Sequence, residues 1–419
     1  MPPARGISGA LTLPGDKSIS HRYAMLAALA EGTTRLTNFS GGADCASTLR
    51  CLQSLGVKCE PDLNTVVIHG ARLQPPKIPL DCGNSGSTMR MLSGILAAQE
   101  FCSELQGDES LSRRPMARIV MPLESMGAKI TTHGGRPPLR ITGGKLRGIE
   151  YKMPIASAQV KSALLFAGLL AEGETSVEEP VRTRDHGELA LAAFGAEVQR
   201  NGNRARIRGG QKLHPIEAEI PGDLSSAAFF LCAAALFPGS QLTIPHLLLN
   251  PTRARLLEVL IAMGVNITVT ELEEKHGELA GAVLIRGNKL KGATIAGSDT
   301  AALIDEIPVL AAIAPYTKNG IEVRDARELR VKESDRIAAL AANLRAMGAE
   351  VTEREDGLRV PGGQELHGAT IDSFGDHRIA MAFAVAALRA GGDTAIQGAD
   401  AAVISYPGFL EDLDRLAVR

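Results

Sequence analysis

The chain has 419 residues, 45% of them hydrophobic and 22% charged, which suits a globular protein large enough for two domains. A net charge of −2, 3% aromatic residues and no Trp exclude a general nucleic-acid or membrane-surface binder, because neither a basic field nor stacking platforms are present. No stretch reaches the ~18 apolar residues of a membrane helix. The N-terminal residues show no apolar signal-peptide core, and the six Cys form no CxxC pair and lack His partners at metal spacing. A reduced, cytoplasmic protein without a metal is expected.

Along the chain, polar clusters recur where helices should start. In Leu13-Pro14-Gly15-Asp16-Lys17-Ser18-Ile19-Ser20-His21-Arg22, a Pro-Gly turn runs into a helix whose apolar stripe is Ile19, Tyr23, Leu26, Ala27 and Ala30. Asp16 or Ser18 can cap it, and the free N–H groups of its first turn favour an anion near Lys17 and Arg22. Leu80–Arg90, containing Gly83-Asn84-Ser85-Gly86-Ser87, reads as a Gly/Ser turn opening a second helix. Ser112-Arg113-Arg114-Pro115 supplies two guanidinium groups, with Pro115 starting a helix. Ala156-Ser157-Ala158-Gln159-Val160-Lys161-Ser162 opens another, running to Leu170, and Thr183-Arg184-Asp185-His186 is either an anion contact or a local cap and ion pair.

Farther on, Leu224–Leu236 is an apolar helix with a polar start, stopping before Pro238-Gly239. Leu303-Ile304-Asp305-Glu306-Ile307-Pro308 sets two carboxylates in an apolar run, either a helix-start charge or, if buried, a base. Arg330-Val331-Lys332-Glu333-Ser334-Asp335-Arg336 places Lys332 and Arg336 four apart on an expected helix face, and Asp376-His377-Arg378 precedes an apolar helix. Lysine and arginine thus recur at helix starts in both halves, as a cleft for more than one small anion requires.

A second regularity sets the architecture. A large apolar residue, Gly and a small residue end helix-like runs at Gly56, Gly127, Gly195, Gly264 and Gly348, about 70 residues apart, too long for an ordinary solenoid. A sixth helix, Phe409–Leu416, stops where the next Gly would fall. Six copies of a small mixed unit, grouped three and three, are predicted: one domain at 16–221 and another at 222–419 plus 1–15. The chain then crosses twice between them, making a hinge and a cleft. One compact α/β domain with coincidental glycines is the alternative.

The segments LPGDKSISHR, DCGNSGSTMR, GDESLSRRPM, SAQVKSALL, TRDH, PGDLSSAAFF, RVKESDR and DHRIAM resemble, nearly end to end, the 5-enolpyruvylshikimate-3-phosphate (EPSP) synthase family. The resemblance implies the enolpyruvyl-transferase fold, an inside-out α/β barrel of two similar domains, each of three βαβαββ units, with the active site between them. It implies addition of the 5-hydroxyl of shikimate 3-phosphate to phosphoenolpyruvate and loss of phosphate, without metal or organic cofactor. By resemblance, Asp305 accepts the proton, and Glu333 with Lys17 handles protonation at C3, their protonation states being coupled. Shikimate 3-phosphate falls to Lys17, Ser18, Arg22, Ser157, Ala158, Gln159, Arg184, Asp305 and Lys332. Phosphoenolpyruvate falls to Lys17, Asn84, Gly86, Arg114, Gln159, Arg336, His377 and Arg378.

Ala158, Glu328 and Ile404 depart from the commonest family pattern, standing where many members carry Ser, Asn and a basic residue. With Asp16-Lys17 they resemble the family's second subgroup. Gly86 stands where the family leaves room for the inhibitor glyphosate, and a monomer that binds neither nucleic acid nor membrane is expected. Two other readings are a UDP-N-acetylglucosamine enolpyruvyl transferase, disfavoured by Lys17-Ser18 and by the lack of Cys around Arg114, and a non-catalytic anion-binding protein on the same fold. Neither GxxxxGK[ST] nor GxGxxG occurs, which speaks against a nucleotide-dependent enzyme.

Overall fold

Each of the five glycines at the helix ends does the work its spacing implies. In the computed structural model, which describes residues 1–419, Gly56, Gly127, Gly195, Gly264 and Gly348 have φ between 86° and 114°. The glycine N–H returns to the carbonyl three residues back, and the next N–H to the carbonyl five back, as in Gly56 to Gln53 at 3.0 Å and Val57 to Leu52 at 3.1 Å. These bonds satisfy carbonyls that a helix end otherwise orphans. The chain then leaves as a strand, beginning at Lys58, Lys129, Val198, Asn266 and Thr352.

One strand order recurs through the sheets. Leu80–Asp81 lies parallel to Cys102–Gln106, which pairs antiparallel with Arg136–Thr142, and that strand with Lys129–His133. Glu150–Lys152, Glu174–Glu178, Arg204–Arg208 and Val198–Asn201 repeat this arrangement. So do Ala293–Ile295, Ile321–Val323, Gly357–Val360 and Thr352–Arg354. Two copies take their first strand from far away: Glu217–Glu219 lies parallel to Thr33–Thr37, and Gly6–Ala10 parallel to Gln241–Leu248. The sixth keeps only the pair Thr370–Asp372 and Ala395–Gln397. Its closing helix, Phe409–Leu416, leads into Ala417–Val418, which pairs antiparallel with Gly6–Ala10 instead of forming a hairpin. The fold is a mixed α/β one built from a repeated βαβαββ unit.

The chain forms two compact units, Gly15–Ile220 with Lys275–Glu278, and Met1–Pro14 with Pro221–Glu274 and Leu279–Arg419. At the centre of the first are the helices Lys17–Leu29, Gly86–Ala97 and Ala158–Leu170; at the centre of the second are Leu224–Ala235, Ile307–Ile313 and His377–Ala387. These helices are buried nearly all round, not along one stripe. Every residue from Ile19 to Ala28 is buried, so the stripe read from the sequence is part of a helix without a solvent face. Small residues allow that packing: a Cβ on Gly94 would lie 2.1 Å from the Ala163 carbonyl oxygen, so two helices meet backbone to backbone. In the second unit Phe409 meets Phe229, Phe230 and Tyr406 edge to face, and Phe230 and Tyr406 lie tilted to each other. Each fully buried large apolar side chain contributes about 1.5–3 kcal/mol. Helices so enclosed can offer only their ends to a ligand.

Candidate active site

Three helix starts in the first unit carry polar residues expected from the sequence, each fixed by a cap. Asp16 Oδ1 accepts from the Ile19 N–H at 2.9 Å, Ser85 Oγ from Thr88 at 3.1 Å and Ser157 Oγ from Val160 at 3.4 Å. Lys17 Nζ lies 2.9 Å from Asp44 Oδ2. Arg22, only 3% exposed, donates from Nε to Ser162 Oγ at 3.1 Å, from Nη1 to the Ser18 carbonyl at 2.8 Å and from Nη2 to the Ala158 carbonyl at 3.4 Å. Burial pulls its pKa down to about 10; Glu188 and Asp16 resist that fall, and the Arg184 charge adds to it. Arg22 therefore stitches the Lys17 helix to the Ala158 helix with Arg184 nearby.

A second group adjoins the first through Gln159, whose Oε1 accepts from Arg90 Nη1 at 2.7 Å and whose amide donates to Ser87 Oγ at 2.9 Å. Arg114, buried, donates to Asn84 Oδ1 at 2.7 Å and to Ser110 Oγ at 3.1 Å, and Asn84 donates in turn to Asp108 at 2.7 Å. Gly86, the first residue of its helix, faces both guanidiniums: a Cβ there would meet Arg90 Nη1 at 3.1 Å and Arg114 Nη1 at 3.4 Å. The structure thus brings Ser18, Arg22, Ala158 and Gln159 together, and beside them Asn84, Gly86 and Arg114. The helix after Arg114 begins at Ala117 and not at Pro115 as expected: Met116 is its cap residue, and the Met116 N–H is bonded to the Gly135 carbonyl at 2.9 Å.

In the second unit, Asp305 is the focus of three cations. Its carboxylate lies 3.6 Å from Lys332 Nζ, 3.6 Å from Arg336 Nη1 and 3.9 Å from Arg378 Nη2, and Arg378 Nη1 donates to its carbonyl at 2.6 Å. The half-buried side chain faces these cations. Arg336, 1% exposed, donates from Nε to Asp376 Oδ2 at 2.8 Å and from Nη2 to Glu333 Oε2 at 2.6 Å. Burial alone would lower the Arg336 pKa, but Asp376 and Glu333 outweigh it and hold the pKa above the ordinary value. Burial would likewise raise Asp376, and the Arg336 charge instead keeps it below the usual carboxylate range. His377, fully buried, opens its helix between Asp376 and Arg378, and Asp376 caps that helix through the Arg378 N–H at 2.9 Å.

One expectation is corrected here. Lys332 and Arg336 do not share a helix face, because Asp335 caps the helix that Arg336 begins, and Lys332 precedes it in extended backbone. They converge on Asp305 from a loop and a helix start. Glu328 lies half-buried in the short turn Arg327–Val331, and Ile404 ends the turn Ala399–Ile404.

Sequence reasoning did not single out Asp44, Ser87, Arg90 or the anchoring role of Asp376. Ser87 and Arg90 stand inside a motif it quoted, so their position was the available signal. Asp44 and Asp376 become partners of Lys17 and Arg336 only through tertiary contacts, which no local pattern announces. No group of three or more His, Cys, Asp or Glu residues is placed to hold a metal ion.

The family model for EPSP synthase (3-phosphoshikimate 1-carboxyvinyltransferase) matches residues 2–413. The chain belongs to the EPSP synthase family. A relative from Koribacter versatilis named 3-phosphoshikimate 1-carboxyvinyltransferase is 61% identical over all of this chain and 98% of its own, and one of the same name from Solibacter usitatus is 54% identical over 99% and 98%. The EPSP synthase structure from Acinetobacter baumannii superposes with a TM-score of 0.88 at 44% identity, over 100% of this chain and 97% of that one. The enolpyruvyl transferase NikO from Streptomyces tendae, 19% identical, shares the fold at a TM-score of 0.78 over 99% and 96%. The enolpyruvyl-transferase fold of the EPSP synthases is therefore that of this chain.

Proposed function

We propose that this protein transfers the enolpyruvyl group of phosphoenolpyruvate to the 5-hydroxyl of shikimate 3-phosphate and releases phosphate, a step of the shikimate pathway. The family match and the 61% identical relative support the reaction. The geometric observation that carries it is the Asp305 carboxylate beside Lys332, Arg336 and Arg378. In this reading Asp305 takes the proton of the 5-hydroxyl as its oxygen bonds to C2 of phosphoenolpyruvate, while Lys17 and Glu333 deliver a proton to C3. The tetrahedral intermediate then loses phosphate from C2 and a proton from C3, restoring the double bond as the enolpyruvyl ether.

Ser18, Arg22, Ser157, Ala158, Gln159, Arg184 and Lys332 hold shikimate 3-phosphate, and Lys17 and Asp305 touch it. Phosphoenolpyruvate is held by Lys17, Asn84, Gly86, Arg114, Gln159, Arg336, His377 and Arg378. The planar forks of the arginines suit carboxylate and phosphate better than lysine would. Glyphosate competes at the phosphoenolpyruvate residues, and the protein works as a cytoplasmic monomer.

Phosphate release from phosphoenolpyruvate, with and without shikimate 3-phosphate, tests the assignment. Release should need both substrates and fall roughly 10²–10⁴-fold in Asp305→Ala, the range of general acid–base help. Turnover with UDP-N-acetylglucosamine in place of shikimate 3-phosphate would move the chain to the sister reaction. Binding without turnover of either acceptor would leave an anion-binding protein.

A further inference from the structure

The segment between the strand Glu174–Glu178 and the helix His186–Ala193 has no regular backbone pattern, yet it is tied to buried charge on both sides of Arg184. Before it, the Thr183 hydroxyl donates to Glu179 Oε1, and the Thr183 N–H donates to Glu179 Oε2 at 3.3 Å. Glu179 Oε2 also accepts from Lys161 Nζ at 2.7 Å, and Lys161 pairs with Glu188 Oε1 at 2.8 Å. After it, Asp185 Oδ2 accepts from Arg182 at 3.0 Å and from Arg200 at 3.2 Å.

The side chains of Lys161, Glu179 and Glu188 are 2%, 2% and 4% exposed. A buried cluster of two carboxylates and one ammonium is expensive to desolvate and is weak evidence for stability alone. Its placement gives it another use. Lys161 stands one turn into the helix that Ser157, Ala158 and Gln159 open, and Arg22 is bonded to Ala158 and Ser162 of that same helix. The cluster thus moors an irregular segment to the helix start that carries the proposed shikimate 3-phosphate residues. Arg184 is near enough to Arg22 for the two positive charges to oppose each other, so an anion between them relieves a repulsion already present.

The geometry points to Thr183 as a positioning residue for shikimate 3-phosphate: through Glu179 and Lys161 it fixes the backbone from which Arg184 reaches the substrate. The inference rests on the proposed function and goes beyond it, since Thr183 is not among the residues proposed to touch either substrate and its hydroxyl and N–H are both spent on Glu179. Thr183 is the member best suited to substitution, because its hydroxyl links to the cluster without carrying charge.

Thr183→Val keeps the shape and removes only the hydroxyl, and Thr183→Ser restores it. Steady-state kinetics of wild type and both variants are measured with each substrate varied in turn. In Thr183→Val the KM for shikimate 3-phosphate should rise about five- to tenfold, as loss of a hydrogen bond to a charged group allows. The kcat and the KM for phosphoenolpyruvate should stay within about twofold, and Thr183→Ser should behave as wild type. An unchanged KM for shikimate 3-phosphate, or a common fall in kcat with both KM values raised, overturns the inference while wild-type turnover leaves the transferase reading standing. A wild type that releases no phosphate with shikimate 3-phosphate sinks the reading and the inference together.

Discussion

Gly86 shows how much one hydrogen atom can decide. The methyl group of Gly86→Ala would stand 3.4 Å from Arg114 Nη1, an ordinary contact, and 3.1 Å from Arg90 Nη1, tight enough that Arg90, bonded to Gln159 Oε1 at 2.7 Å, must shift by a few tenths of an ångström. Arg114 is buried and bonded to Asn84 and Ser110, so its room to yield is small. A ligand that fills the space beside Gly86 more fully than phosphoenolpyruvate therefore suffers more. Glyphosate inhibition should weaken by at least about tenfold in Gly86→Ala, corresponding to roughly 1.4 kcal/mol of crowding, within the cost of overpacking by a methyl group. Inhibition curves of the two proteins at one phosphoenolpyruvate concentration decide it, and coincident curves sink the steric account.

Between neighbouring helices, a chain of hydroxyls does what side-chain packing cannot. His21 Nδ1 lies 2.7 Å from Thr48 Oγ1, Thr48 Oγ1 lies 2.7 Å from Thr88 Oγ1, and Thr88 Oγ1 donates to Ser85 Oγ at 2.8 Å. The relay joins the Lys17 helix, the Ala43–Ser54 helix and the cap of the Gly86 helix, all through fully buried side chains. Thr48→Val leaves its neighbours unsatisfied and should cost about 1–3 kcal/mol by denaturant unfolding. His21 also gives the relay a pH signature. Burial, then the charges of Lys17 and Arg22, push its pKa well below 6.5. The unfolded chain thus takes up a proton that the folded one refuses once pH falls below about 6.5. Stability should then fall with pH, by up to about 1.4 kcal/mol per unit, until the folded-state pKa is reached. His21→Asn should flatten that slope between pH 6.5 and 5, and parallel wild-type and variant curves would refute it. Such relays explain what was legible in advance. The starts at Lys17, Gly86 and Ala158 could be read because Asp16, Ser85 and Ser157 are local caps. The helix at Arg336 starts later than the spacing of Lys332 and Arg336 implies, because Asp335 caps it while the neighbouring Ser334 turns away to donate to Asp376 at 3.0 Å. Pairings such as Glu217–Glu219 with Thr33–Thr37, and the partners Asp44 and Asp376, depend on tertiary contacts that no window of sequence contains.

At the scale of the molecule, the repeated unit implies that each compact body carries its own core and a self-contained share of the residues proposed to bind substrate. Gly15–Ile220 contains three complete sheets, the three central helices, and Ser18, Arg22, Ser157, Ala158, Gln159 and Arg184. Its ends are close, since a Cβ on Gly15 would meet Ile220 Cγ2 at 2.9 Å, so cutting there opens no long loop. What it lacks is Lys275–Glu278, whose Glu278 Oε1 lies 2.6 Å from the buried His186 Nδ1. A fragment 15–220 should therefore melt cooperatively, at a cost of roughly 1–3 kcal/mol for the lost partner of a buried polar group. Shikimate 3-phosphate at about 100 times its dissociation constant should then stabilise the fragment by ~2.7 kcal/mol, whereas phosphoenolpyruvate should do less, because Arg336 and Arg378 belong to the other unit. Thermal unfolding followed by circular dichroism, with each ligand alone, separates the two claims. A broad, non-cooperative melt would show that the unit does not fold on its own. A sharp melt that shikimate 3-phosphate leaves unmoved would show that Ser18, Arg22, Gln159 and Arg184 do not suffice to hold it.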